Sequence, residues 1–347
     1  MRRVNILFAI ISVFVFLSTI ACGGTGQEQN SIQGQNTNEG KQLVIYSGRQ
    51  EPLILPIITA FEKKTGIKVT LKAGSSQELA NLLLEEKEKT QADVYVSTDA
   101  SLLEKLAQAK MFTPITAQDL STIQAEYRSG EALWTGVSGR ARVLIINTDL
   151  VSQAEKPASI YSIVDPKWKG KVAMANFTNE SVITHISALR VFHNDQFASG
   201  FLDGIRNNGV KLLSGHTAVR QAVAKGEFSI GFVNHYYGHL QQKESKNIEI
   251  IYPDQKDSED GAFVNISGVG ILKSSKNATA AQAFVSYLLS GEAQKQFAEL
   301  NYEFPLQASI RSSNTKNLGE FKKMNVGLHR VAKELDGTIQ IIKGKGL

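Results

Sequence analysis

The sequence predicts an α/β protein of two lobes, each built on a parallel sheet, joined by two crossing strands. Three observations predict it. Short apolar runs alternate with amphipathic helical stretches along most of the chain, the order that builds parallel sheets. Two extended runs, 134–149 and 262–273, are longer than most strands and are placed to carry the chain from one lobe to the other and back. The only cysteine is Cys22, close to the start, so a hydrophobic core rather than disulfides must hold the fold.

The elements follow in order. Residues 43–46 (LVIY) are an apolar run stopped by Ser47-Gly48, a strand and then a turn. Glu51-Pro52 opens a helix to residue 64, with Pro early, where its missing N–H costs nothing. Leu53, Ile54, Ile57, Ile58 and Phe61 make its apolar stripe and Gly66 ends it. A second strand spans 68–71, and Ser75-Ser76-Gln77-Glu78 starts the next helix, with Leu79, Leu82 and Leu83 inward. A third strand spans 92–97 and a third helix 101–110. After the first long run come a strand at 171–174, helices at 181–192 and 196–207, a strand at 210–213, a helix at 217–225 and a strand at 228–233. Residues 278–300 read as one or two amphipathic helices, and 325–342 as a helical tail.

The first residues are Met1-Arg2-Arg3 and then an apolar run from Ile6 to Ile20, the layout of a secretory signal, too short for a comfortable membrane span. It closes on Thr19-Ile20-Ala21-Cys22, which looks like a lipobox with Thr where Leu is usual, so Cys22 is expected to carry a lipid. Residues 23–41 are Gly, Gln, Asn, Ser and Thr with almost no apolar content, the composition of a flexible tether. The expected organisation is a signal at 1–21, a lipidated tether at 22–41, an N-terminal lobe from 42–137 plus 270–310, a C-terminal lobe from 138–269 and a C-terminal helical segment at 311–347. The location implied is extracytoplasmic, with a lipid anchor to a membrane. The chain is 42% apolar and 20% charged, an ordinary globular mixture, with a formal charge of +5. No basic cluster interleaved with aromatics argues for nucleic acid.

Open α/β sheets bind ligands at the C-terminal ends of their strands, which directs attention to the loops 47–51, 73–78, 97–100, 175–181, 214–217 and 234–239. The informative one is Asn234-His235-Tyr236-Tyr237. Within a strand two adjacent tyrosines would face opposite ways, but at a helix start just past the strand they can turn toward one point. They read either as a packed aromatic pair or as two phenolate donors. A phenol with a reference pKa of about 10 ionises at neutral pH only beside a strong Lewis acid. Ferric iron qualifies, whereas magnesium and calcium usually take carboxylates and carbonyls.

At these residues the chain resembles the ferric-iron-binding proteins of bacterial ABC importers, the transferrin-like family with the type II periplasmic-binding-protein fold. The likeness runs from about residue 42 to the end. It is carried by LVIYSGRQEPLILPIITAFEKKTGIKV, GSSQELANLLLEE, ADVYVSTDA, WTGVSGRARVLIINTD, DPKWKGKV, AVAKGEFSIGFVNHYYGH and YEFPL. The resemblance implies that Tyr236 and Tyr237 are phenolate ligands to Fe³⁺. Glu78 stands where some members place a carboxylate ligand, although Ser75-x-x-Glu78 is equally a capping box. Gln50 stands where many members have a histidine, and no tyrosine occupies 176–181, where others add a third, which leaves the ligands beyond the two tyrosines open.

Members often complete the iron with a synergistic anion such as carbonate or phosphate. The loop Thr178-Asn179-Glu180-Ser181 matches the family's anion loop, and N–H groups at a helix start suit an anion; Glu180 is an awkward residue beside one. Asn234 matches an anion contact or is a helix N-cap, and His216 falls where relatives often have Asn. Arg49 and Arg140 serve the same anion or make salt bridges. His235 and His239 are expected behind the ligands or in solvent. The resemblance further implies delivery of iron to an ABC permease in the membrane, by a monomer. The competing ligand is a phosphorylated or other anionic small molecule held at the helix starts; a polyamine would want more acids in these loops. With no G-x-S-x-G elbow, H-E-x-x-H or P-loop, the sequence predicts a carrier and not an enzyme.

Overall fold

In the computed structural model of the protein, which describes residues 42–347, the apolar run 43–46 lies within the first strand, β1 (Gln42–Ser47). The signal, Cys22 and the tether lie outside the described residues. The elements then follow as α1 (Glu51–Thr65), β2 (Lys68–Ala73), α2 (Ser76–Glu86), β3 (Val94–Ser97), α3 (Ala100–Gln108), β4 (Phe112–Thr113) and the long β5 (Trp134–Asn147). Next come β6 (Val172–Ala175), α4 (Glu180–Phe192), α5 (Asp195–Asn207), β7 (Lys211–Leu213), α6 (His216–Ala224), β8 (Ile230–Asn234), α7 (His235–Glu244) and β9 (Ile248–Ile251). β10 (Val264–Leu272) and the helices α8 (Ala278–Leu289), α9 (Gly291–Leu300), α10 (Leu328–Lys333) and α11 (Leu335–Gly344) complete the chain.

The strands join in the order β2-β1-β3-β10-β5-β8-β6-β7, with β4 on β10 and β9 on β5. Parallel pairing holds among β1, β2 and β3 at one end and among β6, β7 and β8 at the other. The sheet is not parallel throughout. β10 runs antiparallel to β3 and β5, and β5 antiparallel to β8 and β9. A strand that leaves one half of the sheet and a strand that returns to it must run against each other, so the two crossings set the antiparallel middle. Ser290 splits 278–300 into two helices by capping α9 through the Ala293 N–H (3.3 Å), and the tail breaks at Glu334 into α10 and α11.

All 14 residues of β5 are buried. Glycine makes its close passage over β10 possible. A Cβ on Gly136 would meet Ile266 and Leu306 at 2.6 Å, and one on Gly268, its partner, would meet the Thr135 carbonyl at 2.6 Å. The pairing register shifts between Ser267 and Gly268, a bulge at the crossing of the kind that re-aims strands.

A buried ion pair fastens this crossing. Arg49, in the turn after β1, reaches Glu303 at 2.6 Å, with both side chains 1% exposed. It also donates to Ser267 on β10 (2.9 Å) and Ser138 on β5 (3.4 Å), and Ser138 donates to Glu303 at 2.7 Å. Removing one partner of such a pair strands a charge in the interior. Glu303→Ala is therefore expected to destabilise the fold by about 3–5 kcal/mol in chemical denaturation. A loss under about 1 kcal/mol would contradict a desolvated pair.

Candidate functional site

Because β6, β7 and β8 are parallel, their C-terminal ends share one edge, and each leads into a helix start: Asn179 before α4, Gly215 before α6 and Asn234 before α7. The facing edge is made by the ends of β1, β2 and β3, with Gln50, Ser75 and Asp99 at the N-caps of α1, α2 and α3. The edges meet. Gln50 Nε2 donates to the Tyr237 hydroxyl at 3.3 Å, the Thr98 hydroxyl donates to Glu180 Oε1 at 2.8 Å, and Thr184 donates to Asp99 at 2.5 Å.

Tyr236 and Tyr237 occupy the first turn of α7, 5% and 7% exposed, with ring centroids 4.2 Å apart. Sequence neighbours that would point apart in a strand thus lie side by side. Burial pushes both phenols above their ordinary pKa; for Tyr237 the neighbouring Tyr236 adds to it, while Arg140 opposes it on both. Without a cation the two are neutral phenols.

Behind them lies a chain of polar contacts through the three helix starts. Ser181 Oγ is 2.8 Å from His216 Nε2, Arg142 Nη1 is 3.3 Å from the same nitrogen, and Arg142 Nη1 donates to Asn234 Oδ1 at 3.2 Å. Arginine only donates, so His216 Nε2 is an acceptor and its proton sits on Nδ1, which is buried and unpartnered. Burial first, then Arg142 and Arg140, hold the His216 pKa well below the usual histidine value, so the ring is neutral. Asn234 stands at the N-cap position without a side-chain cap bond; its carbonyl oxygen goes to Arg142 instead.

Arg140 and Arg142 alternate on β5 and are 3% and 1% exposed. On each, Nε and Nη2 have no hydrogen-bond partner, and among the described residues neither has a carboxylate within salt-bridge distance. The Arg142 guanidinium carbon sits 4.0 Å over the Phe232 ring. Burial and then, less strongly, Arg140 pull its pKa down to about 9, against the nearby tyrosines. Two desolvated guanidiniums beside three positively polarised helix starts make a strongly electropositive wall.

The other expected residues distribute unevenly. Glu78 is exposed and closes the capping box, accepting from the Ser75 backbone N–H at 3.4 Å, with no hydrogen bond to either tyrosine. Arg49 is engaged with Glu303. Thr178 is exposed and bonded to Asn176 at 2.6 Å, and Asn179 accepts from the Ser181 N–H at α4. His235 is fully buried, stacked on Phe304 at 3.9 Å, and accepts the Ala141 N–H at 3.2 Å, so it steadies β5 between the two arginines. His239, its pKa lowered to about 4 by burial, stacks on Tyr302. Among the described residues no group of three or more His, Cys, Asp or Glu forms a metal cage. Reasoning from sequence missed Arg142, although Arg-Ala-Arg in a strand puts both arginines on one face.

The profile of the family described as bacterial extracellular solute-binding protein matches residues 43–300. The Fe(3+)-binding periplasmic protein of Serratia marcescens is 30% identical over 297 residues, 84% of this chain and 86% of that one. The iron-bound HitA structure of Pseudomonas aeruginosa superposes with a TM-score of 0.83 at 26% identity, covering 88% of this chain and 99% of that one. The Trichodesmium protein (IdiA, FutA) in complex with iron and citrate gives 0.75 at 31% identity, covering 88% and 99%.

The burial of the phenols has a direct readout. In alkaline titration of the metal-free chain, Tyr236→Phe and Tyr237→Phe are each expected to leave the phenolate absorbance rise between about pH 9 and 11 unchanged. Loss of one tyrosine's amplitude there would mean an exposed phenol.

Proposed function

This chain belongs to the bacterial extracellular solute-binding proteins, and from that premise we propose that it carries ferric iron, bound by the Tyr236 and Tyr237 phenolates beside an anion held on the Arg140 and Arg142 wall. It is a carrier of an ABC-type iron importer, not an enzyme. The observation that carries the site is the pairing of opposites: two buried phenols with no charge of their own next to two buried guanidiniums that, among the described residues, have no carboxylate within salt-bridge distance. A trivalent cation converts the phenols into anions, and a carbonate or phosphate satisfies the orphaned N–H groups. Phenolates are hard donors and suit a hard cation. His216 Nδ1–H and the α4 start offer further donors to the anion.

The sequence of events follows from the same groups. Iron enters while the edges of the two halves are apart, and the phenols release their protons to solvent as they bind. Closure then forms the Gln50–Tyr237 and Thr98–Glu180 contacts across the gap. We take the moving bodies to be residues 42–137 plus 270–310 and residues 138–269, hinged in β5 and β10, with 311–347 as a helical appendage. A membrane permease receives the iron from the closed monomer, and Cys22 carries a lipid that keeps the chain at the membrane.

The alternative, a phosphorylated or other anionic small molecule, uses the arginines and helix starts but gives the paired phenols no role beyond packing. Because protons compete with iron for the phenolates, ferric affinity is expected to fall as the pH is lowered. Titration with ferric citrate should give a saturable visible charge-transfer band in the wild type and none in Tyr236→Phe/Tyr237→Phe, with the far-UV dichroism unchanged. Tight ferric binding that survives in the double variant would contradict the proposal.

A further inference from the structure

Away from the tyrosine pair, three polar side chains from three separate elements meet at one point. Tyr161 comes from the short 3₁₀ turn Ile160–Val164, His193 from the C-terminal cap of α4, and Asp260 from the loop between β9 and β10. Asp260 Oδ2 lies 2.7 Å from His193 Nε2 and accepts from the Tyr161 hydroxyl, whose oxygen is 3.2 Å from the same His193 nitrogen. The 13 residues of α4 put this point about 20 Å from the helix start that faces the tyrosines. Nothing in the ferric site uses it.

The three groups are held in place. His193 stacks on Phe197 with centroids 3.9 Å apart, and the Tyr161 ring meets Phe197 and Phe201 edge-on at 5.4 and 5.8 Å. The loop that carries Asp260 is pinned at both ends: Asp254 and Gly261 have φ of 59° and 84°, and the Gly261 N–H donates to the Asp254 carbonyl at 2.9 Å. The lysines of this region are committed elsewhere. Lys322 donates to the carbonyls of Lys256, Asp257 and Glu259, and Lys256 pairs with Glu259 at 3.3 Å. Among the described residues no Lys or Arg lies within salt-bridge distance of Asp260, and no hydrogen bond reaches its Oδ1. The His193 and Asp260 side chains are 26% and 16% exposed, so the cluster opens to solvent.

We propose that Tyr161, His193 and Asp260 form a second metal site, for a divalent first-row transition ion of the zinc type. Imidazole and carboxylate are donors that such ions take, at bond lengths of about 2.0–2.2 Å. Two ligands of one ion at those lengths lie about 3 Å apart, close to the spacing at which the fold already holds His193 against Asp260 and Tyr161. The carboxylate supplies charge, and the negative end of the α4 dipole beside His193 adds to it. The open side leaves positions for water. His193 binds through Nε2 with its proton on Nδ1, and the Tyr161 hydroxyl turns its hydrogen from Asp260 to water, which frees its oxygen for the ion. The metal ties the end of α4, the 160–164 turn and the 254–261 loop into one unit. This inference is independent of the ferric reading.

The test titrates the full chain with cobalt(II) chloride, whose d–d absorption shifts when imidazole or carboxylate replaces water, and follows thermal unfolding with and without zinc chloride. The parent is the Tyr236→Phe/Tyr237→Phe variant, in which the phenolate pair is removed. Saturable cobalt binding is expected there, with a zinc-dependent rise in the unfolding midpoint, because an ion that binds only the folded state stabilises it. His193→Phe, which keeps a ring against Phe197, and Asp260→Asn are each expected to weaken cobalt binding at least about tenfold, since even the outer partners of a ligand are worth that much, and to abolish the rise with zinc. Tyr161→Phe is expected to show a smaller loss, because a neutral phenol is the poorest donor of the three. The two main variants alter different elements, so either one that folds decides the comparison. No saturable binding in the parent would overturn the assignment. So would parent-like cobalt binding in folded His193→Phe or Asp260→Asn.

Discussion

Two arginines two residues apart on β5, buried and, among the described residues, without a carboxylate within salt-bridge distance, are the constraint around which the site is arranged. Charge held away from water without compensation costs several kcal/mol per ion, and the neighbourhood compensates only in part. Asn234 and His216 take hydrogen bonds from Arg142, and the Phe232 ring offers its face. In the proposed reading, the remaining counter-charge arrives with the ligand. An anion supplies it directly, and a cation that turns two adjacent phenols into phenolates supplies it indirectly. In that reading, ligand binding compensates a deficit that the fold itself creates.

The architecture makes the deficit affordable and reversible. β5 belongs to both halves of the sheet and is buried along its whole length, so the two arginines are held at the junction of the halves. The tyrosines, Glu180 and His216 are carried by helix starts at one edge, whereas Gln50, Thr98 and Asp99 come from the other. The Gln50–Tyr237 and Thr98–Glu180 bridges join side chains on loops or at helix ends, Thr184 reaches Asp99 from inside α4, and α10 packs against both α3 and α4. The hydrogen bonds among them are individually worth about 1 kcal/mol. The Arg49–Glu303 pair, by contrast, ties the crossing strands with groups 1% exposed.

Much of this was legible in the sequence, and what was not has a physical reason. The alternation of apolar runs and amphipathic stretches located the strands and helices of both sheet halves to within a few residues, because period and turn residues are local signals. β4, two residues long, and β9, four residues after a charged stretch, carry too little pattern to be read. The tyrosine pair stood out because its place just past a strand is itself a local property. Arg49 could be read as an anion donor or as half of a salt bridge, and only the fold decides, since Glu303 lies 254 positions away. Asn234 shows the same limit: its N-cap position was readable, but its side chain serves Arg142, and no local pattern links the two. Arg142 alone was available in principle, from alternation with Arg140.

Resonance Raman spectroscopy of the iron-loaded chain, excited within its visible absorption band, tests the central claim most directly, because only vibrations of groups bonded to the absorbing metal are enhanced. Phenolate ring modes that vanish from the spectrum when Tyr236 and Tyr237 are both replaced by Phe are the expected result. Bound iron with no phenolate enhancement would place the metal elsewhere and reduce the tyrosine pair to packing.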